Sequence, residues 1–200
     1  MNIYLLRHGE TYWNQDQRLQ GLQDVPLNRA GIRQSRRLAA WYRKTGVRRI
    51  VSSPLLRARC TAQILAECFG RTLLTDDRLR EIDHGPWTGL RLAAIADRFP
   101  EDFATWSFSS EKLRLSNSES LAAVYRRCTS VLLDLIRDSR EEDVLLVSHG
   151  VVNALLLCAV KGAGLSQIRE YSPPNAAVSA LKVQRRKIVA VERELHATAE

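Results

Sequence analysis

Three stretches of this 200-residue chain place arginine or histidine directly after an apolar run. In LRHGETYWN (Leu6–Asn14) the run Ile3 to Leu6 ends at Arg7-His8-Gly9. In RRIVSSPLLRARCTA (Arg48–Ala62) Ile50-Val51 leads into Ser52-Ser53-Pro54, with Arg57 just beyond. In DVLLVSHGVVNALL (Asp143–Leu156) an apolar run ends at Ser148-His149-Gly150. Two arginines and two histidines brought into one crevice need an anion. A phosphate monoester dianion repels anionic nucleophiles, so transfer to a neutral imidazole is easiest where fixed positive charge neutralises the nonbridging oxygens. The departing alkoxide also needs a proton, and Glu81 and Asp83 in REIDHGPWTG are the acids that precede a Gly-rich loop instead of lying on a helix face.

The elements that carry these residues supply the geometry. An apolar run without a polar side marks a strand buried on both faces, as in a parallel sheet, and the C-terminal ends of such strands share one edge, where open α/β sheets bind ligands. Gly9 would let a ligand approach the backbone closely. Asn28 to Lys44 carries Ile32, Leu38, Ala39 and Tyr42 at helical spacing, with Gly46 just past its end. A second helix runs from Pro54, suited to the first helical position, to about Phe69, with Gly70 as its stop. A short strand, Thr72 to Thr75, follows. Asn117 or Ser118 caps a long helix to about Ser139, with Glu119 in its first turn, and a strand pair, Ala176 to Val183 and Ile188 to Glu194, closes the chain. The expected architecture is a three-layer α/β/α fold with a mostly parallel central sheet and an antiparallel edge strand. Residues 82–117, which hold Trp87, Phe99, Phe103, Trp106 and Phe108, break the strand–helix alternation and read as an insertion over the crevice, most of the aromatics forming a satellite cluster. No linker or repeat divides the chain, so residues 1–200 are expected to form a single domain.

LRHGETYWN, RLQGLQDVPLNRAG, SSPLLRARCTA, EIDHGPWTG and VSHG, in this order from Leu6 to Gly150, resemble the histidine phosphatase superfamily, the phosphoglycerate-mutase-like proteins. The resemblance covers essentially the whole chain. It implies that His8, the histidine of the RHG motif, is the nucleophile that forms a phosphohistidine later cleaved by water. It implies that His149 is the second histidine of the cage completed by Arg7 and Arg57, and that Glu81 is the general acid and then the base. Asn14, Gln20, Gly21, His84 and Gly150 stand where relatives contact phosphate or substrate, and Asp83 is left a structural role. A cofactor-dependent phosphoglycerate mutase is the alternative within the family. Mutases carry a longer insertion with extra basic residues and usually Asn after the second His-Gly, where this chain has Val151; both departures favour a phosphatase of small phosphate monoesters. Ser118 stands where many relatives have Gly before Glu-Ser.

Composition bounds the rest. A chain with 45% hydrophobic and 26% charged residues is ordinary for a globular domain, and neither a signal peptide nor a long apolar span is seen. Cys60, Cys68, Cys128 and Cys158 have no C-x-x-C spacing and read as small buried hydrophobes in a reducing cytoplasm. All but five of the 30 basic residues behind the +8 net charge are arginine, which suits phosphate-bearing partners. The bases occur as scattered pairs such as Arg36-Arg37 and Arg126-Arg127, not as a stripe, so a basic phosphate- or nucleic-acid-binding protein is a minor alternative to an enzyme acting on a small phosphorylated metabolite. His8, His84, His149 and His196 show no metal-ligand spacing, and neither a G-x-S-x-G elbow nor a P-loop is present, so no metal or cofactor is expected. Oligomeric state is open, with a homodimer possible.

Overall fold

The runs Ile3–Leu6 and Val144–Val147 lack a polar side because both lie mid-sheet with helices on either face. The computed structural model describes residues 1–42, 45–138, 140 and 142–193. Its strands β1 (Asn2–Arg7), β2 (Val47–Ser52), β3 (Leu73–Thr75), β4 (Asp143–Ser148), β5 (Val178–Gln184) and β6 (Lys187–Glu192) pair in the order β3-β2-β4-β1-β5-β6. The first four are mutually parallel, whereas β5 runs antiparallel to β1 and β6 antiparallel to β5, so the expected strand pair closes that edge by antiparallel pairing. The helices are α1 (Tyr12–Gln15), α2 (Arg29–Tyr42), α3 (Leu56–Phe69), α4 (Leu92–Arg98), α5 (Pro100–Phe108), α6 (Leu121–Arg137) and α7 (Gly150–Lys161).

Alternation along the strands sorts the core into two layers. Ile3, Leu5, Val144 and Leu146 pack with α6 and α7, while Tyr4, Leu6, Leu145 and Val147 pack with α2 and α3. The chain therefore leaves β1 and β4, which are neighbours, toward opposite faces, and this opens a crevice at their C-terminal ends. Register completes the alignment: Arg7 lies opposite Ser148, and Ser52 opposite Val147.

Several element ends differ from expectation for local reasons. Helix α3 begins at Leu56, and Pro54 lies in the turn before it. Its end is capped from afar, Asp24 Oδ1 accepting from the Leu56 N–H at 2.8 Å. Ser120, not Asn117 or Ser118, caps α6 by accepting from the Ala123 N–H; Glu119 precedes the helix and pairs with Arg127 at 2.7 Å instead of sitting in the first turn. Strand β5 starts at Val178 because Ala176 is left-handed, at φ 60°, with its N–H donated to the carbonyls of Arg7 and His8. Gly70 ends α3 in the left-handed conformation as expected. The expected termini Lys44, Ser139 and Glu194, and His196, lie outside the described residues.

Residues 82–117 hold α4, α5 and two single 3₁₀ turns. Trp87 is buried, with Trp106 edge-on at 6.2 Å and Phe99 also at 6.2 Å, and Phe103 stacks on Trp106; Phe108 stays exposed. All four cysteines are free, but only Cys128 and Cys158 are buried, whereas Cys60 and Cys68 are half-buried. Among the described residues no single helix is long and apolar enough to cross a membrane.

Candidate active site

Arg7 is the last residue of β1 and His8 the first beyond it, fixed to β4 by its N–H to the Ser148 carbonyl at 2.9 Å. This bond places His8 beside His149, the residue after β4, with ring centroids 5.3 Å apart. The His8 Nδ1 lies 2.7 Å from the Gly9 carbonyl. A carbonyl only accepts, so Nδ1 carries the hydrogen and Nε2 holds the lone pair. Burial and the charges of Arg57 and Arg7 hold the His8 pKa well below the usual imidazole value, so the ring is neutral. Gly9 has a different task from the one expected: a Cβ there would lie 2.6 Å from the Gly31 carbonyl, so the glycine lets the loop dock on the start of α2. Its N–H donates to Thr61 Oγ1 on α3.

The guanidiniums are anchored by main-chain carbonyls. Arg7 Nη1 donates to the Pro173 carbonyl at 2.8 Å, and Gly150 lies flat against this guanidinium, its site for a Cβ being 3.4 Å from Arg7 Cζ. Gly150 thus seats Arg7. Arg57, near the start of α3, donates from Nη1 to the Gln23 carbonyl at 2.8 Å and from Nη2 to the Gly21 carbonyl at 2.9 Å. Burial lowers its pKa to about 10, which leaves it charged at neutral pH, and lowers that of Arg7 too. Each Nε remains without a protein partner while buried. Gly21 adopts φ +49°, a conformation that favours glycine. Gln20 beside it is buried with Oε1 unpartnered.

His149 Nε2 lies 2.8 Å from Ser53 Oγ, and that oxygen accepts from the Leu55 N–H. The serine oxygen keeps a second lone pair, so either partner can donate across this contact; where Ser53 donates, the ring hydrogen lies on the buried, otherwise unpartnered Nδ1. Burial, then Arg57 and His8, push the His149 pKa well below the usual value. Of the two expected forms, protonated or hydrogen-bonding, the structure favours the neutral hydrogen-bonding ring.

The remaining expected residues surround this centre. Glu81 accepts from the Ile82 N–H at 3.0 Å and, through Oε2, from the Val151 N–H at 3.4 Å, which ties it to α7. Its charge raises the pKa of both Arg7 and Arg57, which places it within their electrostatic reach. Asp83 Oδ1 accepts from the Gly85 N–H at 2.8 Å and shapes the turn. His84 is half-buried next to it, its pKa lowered by burial against the opposing pull of Glu81 and Asp83. Asn14 uses its amide oxygen on the Thr11 N–H of α1 and on Asn175 Nδ2, while Asn175 Nδ2 also donates to the His8 carbonyl. Sequence reasoning passed over Asn175 and Pro173 although SPPN marks a turn, and quoted Ser53 without assigning it a role. Among the described residues no group of three or more His, Cys, Asp or Glu could hold a metal ion.

A cavity of about 310 Å³ is lined in part by Asp83, His84, Trp106, Leu113 and Leu115 of residues 82–117 and by Val151 of α7.

Known proteins match along almost the whole chain. The model of the histidine phosphatase superfamily (branch 1) matches residues 3–195. Phosphoserine phosphatase 1 of Hydrogenobacter thermophilus is 34% identical over 189 residues, 94% of this chain and 90% of that one. The probable phosphoglycerate mutase GpmB of an Enterobacter species is 32% identical over 184 residues, 92% and 86% of the two chains. Among solved structures, Bacillus stearothermophilus YhfR superposes with a TM-score of 0.87 at 30% identity over 94% of both chains. A mycobacterial glucosyl-3-phosphoglycerate phosphatase in complex with VO3 does so with 0.84 at 31% identity, over 90% of this chain and 92% of that one. With the match this long and the backbones this alike, the chain belongs to branch 1 of the histidine phosphatase superfamily.

Proposed function

We propose that the chain is a phosphatase that hydrolyses small phosphate monoesters through a phosphohistidine on His8. The observation that carries this is the Nδ1 bond to the Gly9 carbonyl, which leaves a bare Nε2 lone pair on a neutral ring between two guanidiniums. The Nε2 attacks phosphorus as the bond to the alcohol oxygen breaks, and Glu81 delivers a proton to that oxygen. Arg7, Arg57 and the ring N–H of His149 draw charge from the nonbridging oxygens. Water then attacks the phosphohistidine, gives its proton to Glu81, and orthophosphate leaves with Nε2 restored. Asn14 and Gln20 offer amide groups to the phosphoryl oxygens, and residues 82–117 roof the alcohol. No step calls on a metal. Four free thiols favour a cytosolic setting.

The relative named a probable phosphoglycerate mutase keeps a second reading in view. Val151, which follows His149-Gly150 and packs partly against the core, argues against it. The test is phosphate release from a panel of monoesters, with and without 2,3-bisphosphoglycerate. Release of orthophosphate that is independent of the bisphosphate supports the phosphatase; fast isomerisation of phosphoglycerate with little free phosphate would make the chain a mutase. No turnover of any ester would leave a phosphate-binding protein.

A further inference from the structure

Resting on the phosphatase reading, we propose that the alcohol half of the substrate is an apolar, aryl-sized group and not the charged three-carbon skeleton of phosphoserine or phosphoglycerate. The cavity beside Glu81 holds about 310 Å³, on the order of ten times the share of one water molecule in the liquid. Its floor comes from Val151 and Ala154 of α7 and from Ile168; its roof comes from Trp106, Leu113 and Leu115. Val151, whose N–H donates to Glu81 Oε2 at 3.4 Å, lines this space, as do Ile82 and Asp83, which follow Glu81 in the chain, so an alcohol departing toward Glu81 has the cavity next to it.

The polar side chains in the wall decide what can follow it. Asp83 is bonded to the Gly85 N–H, Ser118 to the Leu115 carbonyl, and Glu119 to Arg127. An ammonium would have to share Asp83 and Glu119 with the Gly85 N–H and Arg127, so seating the charged amine of phosphoserine here replaces its water only in part. Arg169 lies over the Trp106 ring at 4.5 Å and donates to the Trp106 carbonyl, so the ring face and the main chain hold its guanidinium against the wall. An uncharged ring or branched chain meets the apolar side chains of floor and roof, with His84, Ser110 and Ser172 among them, and the water it displaces from the apolar surface drives binding.

The test compares alcohols of similar leaving-group character: ethyl phosphate, 2-phenylethyl phosphate, O-phosphoserine and 3-phosphoglycerate, each in steady state with the wild-type protein. The phenylethyl ester is expected to have a KM on the order of tenfold or more below that of ethyl phosphate, and the highest kcat/KM of the four. In Leu115→Asp and Trp106→Ala the KM ratio between the phenylethyl and ethyl esters is expected to collapse toward one. A preference for phosphoserine or phosphoglycerate overturns the inference and leaves the phosphatase reading standing. So does an unchanged KM ratio in both variants, whether or not their activity falls, because loss of folding alone lowers turnover of both esters together. Failure of the wild-type protein to hydrolyse any of the four, or p-nitrophenyl phosphate, would instead overturn the phosphatase reading and this inference with it.

Discussion

His8 and His149 face each other at 5.3 Å with rings tilted by 60°, each fixed by a different acceptor or donor of the main fold, and both are neutral. The pair divides the work that two like residues would otherwise share. His8 gives its hydrogen to the Gly9 carbonyl and keeps a lone pair; His149 is held instead through Nε2 by the Ser53 hydroxyl.

Acid should therefore spare the nucleophile. Because burial and the arginines depress the His8 pKa, the free enzyme keeps its lone pair as pH falls through the ordinary imidazole range, and the acid limb of kcat/KM lies below about 6.5 once the substrate's own ionisation near about 6 is corrected for. Stability runs the other way. Unfolded, both histidines take up protons below about 6.5, whereas the folded state resists, so the melting temperature drops as the pH is lowered through that value. Profiles of rate and of Tm between pH 4.5 and 8 check both signs, and an acid limb at or above 6.5 contradicts the assignment.

Replacement of the two histidines should give unlike results. His8→Ala is expected to abolish turnover and covalent labelling from a phosphate-labelled ester, because no other ring nitrogen occupies that strand end. His149→Ala removes one hydrogen-bond donor and is expected to cost about 10²–10³-fold in kcat while retaining some label. Alkaline quench followed by mass spectrometry of the labelled peptide distinguishes these outcomes, and label on any residue other than His8 refutes the nucleophile.

Leaving-group dependence isolates Glu81. Glu81→Gln should lower kcat/KM by about 10²–10⁴-fold for an alkyl phosphate and much less for p-nitrophenyl phosphate, whose anion departs without a proton. Equal losses for the two esters would deny Glu81 the acid role, and a selective loss in Asp83→Asn would transfer it. The comparison uses kcat/KM because kcat can report the hydrolysis of phosphohistidine.

Arg127 is expected to act through Glu81 without touching substrate. From α6 it donates to the carbonyls of Arg78, Arg80 and Glu81 and forms a two-point pair with Glu119, so it clamps the segment that presents the acid. Arg127→Met should destabilise the fold by about 2–4 kcal/mol and lower kcat/KM more for alkyl than for aryl esters. Arg127→Lys, which keeps the charge but lacks the planar fork, should recover stability better than it recovers the alkyl activity. Loss of stability with an unaltered alkyl-to-aryl ratio would show a purely structural clamp.

What the sequence displays and what it conceals follow from how each feature is encoded. The parallel core and the strand ends at Arg7, Ser52 and Ser148 are visible because two-sided burial imposes apolar runs on Ile3–Leu6 and Val144–Val147. Chemistry-bearing side chains at those ends stand out for the same reason. The anchors of Arg7 and Arg57 do not, since they are the carbonyls of Pro173, Gln23 and Gly21, and every residue has one. The cap of α3 is equally hidden because Asp24 comes from a distant loop, and local capping rules place the α6 cap two or three residues early. Gly9 misleads in another way: its freedom serves a backbone contact with Gly31, which no one-dimensional pattern joins to it. Short α4 and α5 lie among aromatics whose spacing follows a local cluster and not a long helical face.

The anchoring of both guanidiniums on carbonyls has a consequence for how the enzyme would run in a cell. No carboxylate forms an ion pair with Arg7 or Arg57 among the described residues, so their attraction is directed to whatever phosphoryl group arrives. Orthophosphate offers the same oxygens as an ester and must depart against the same pull. Added orthophosphate is therefore expected to compete with the ester, so that KM rises with the phosphate concentration while kcat holds.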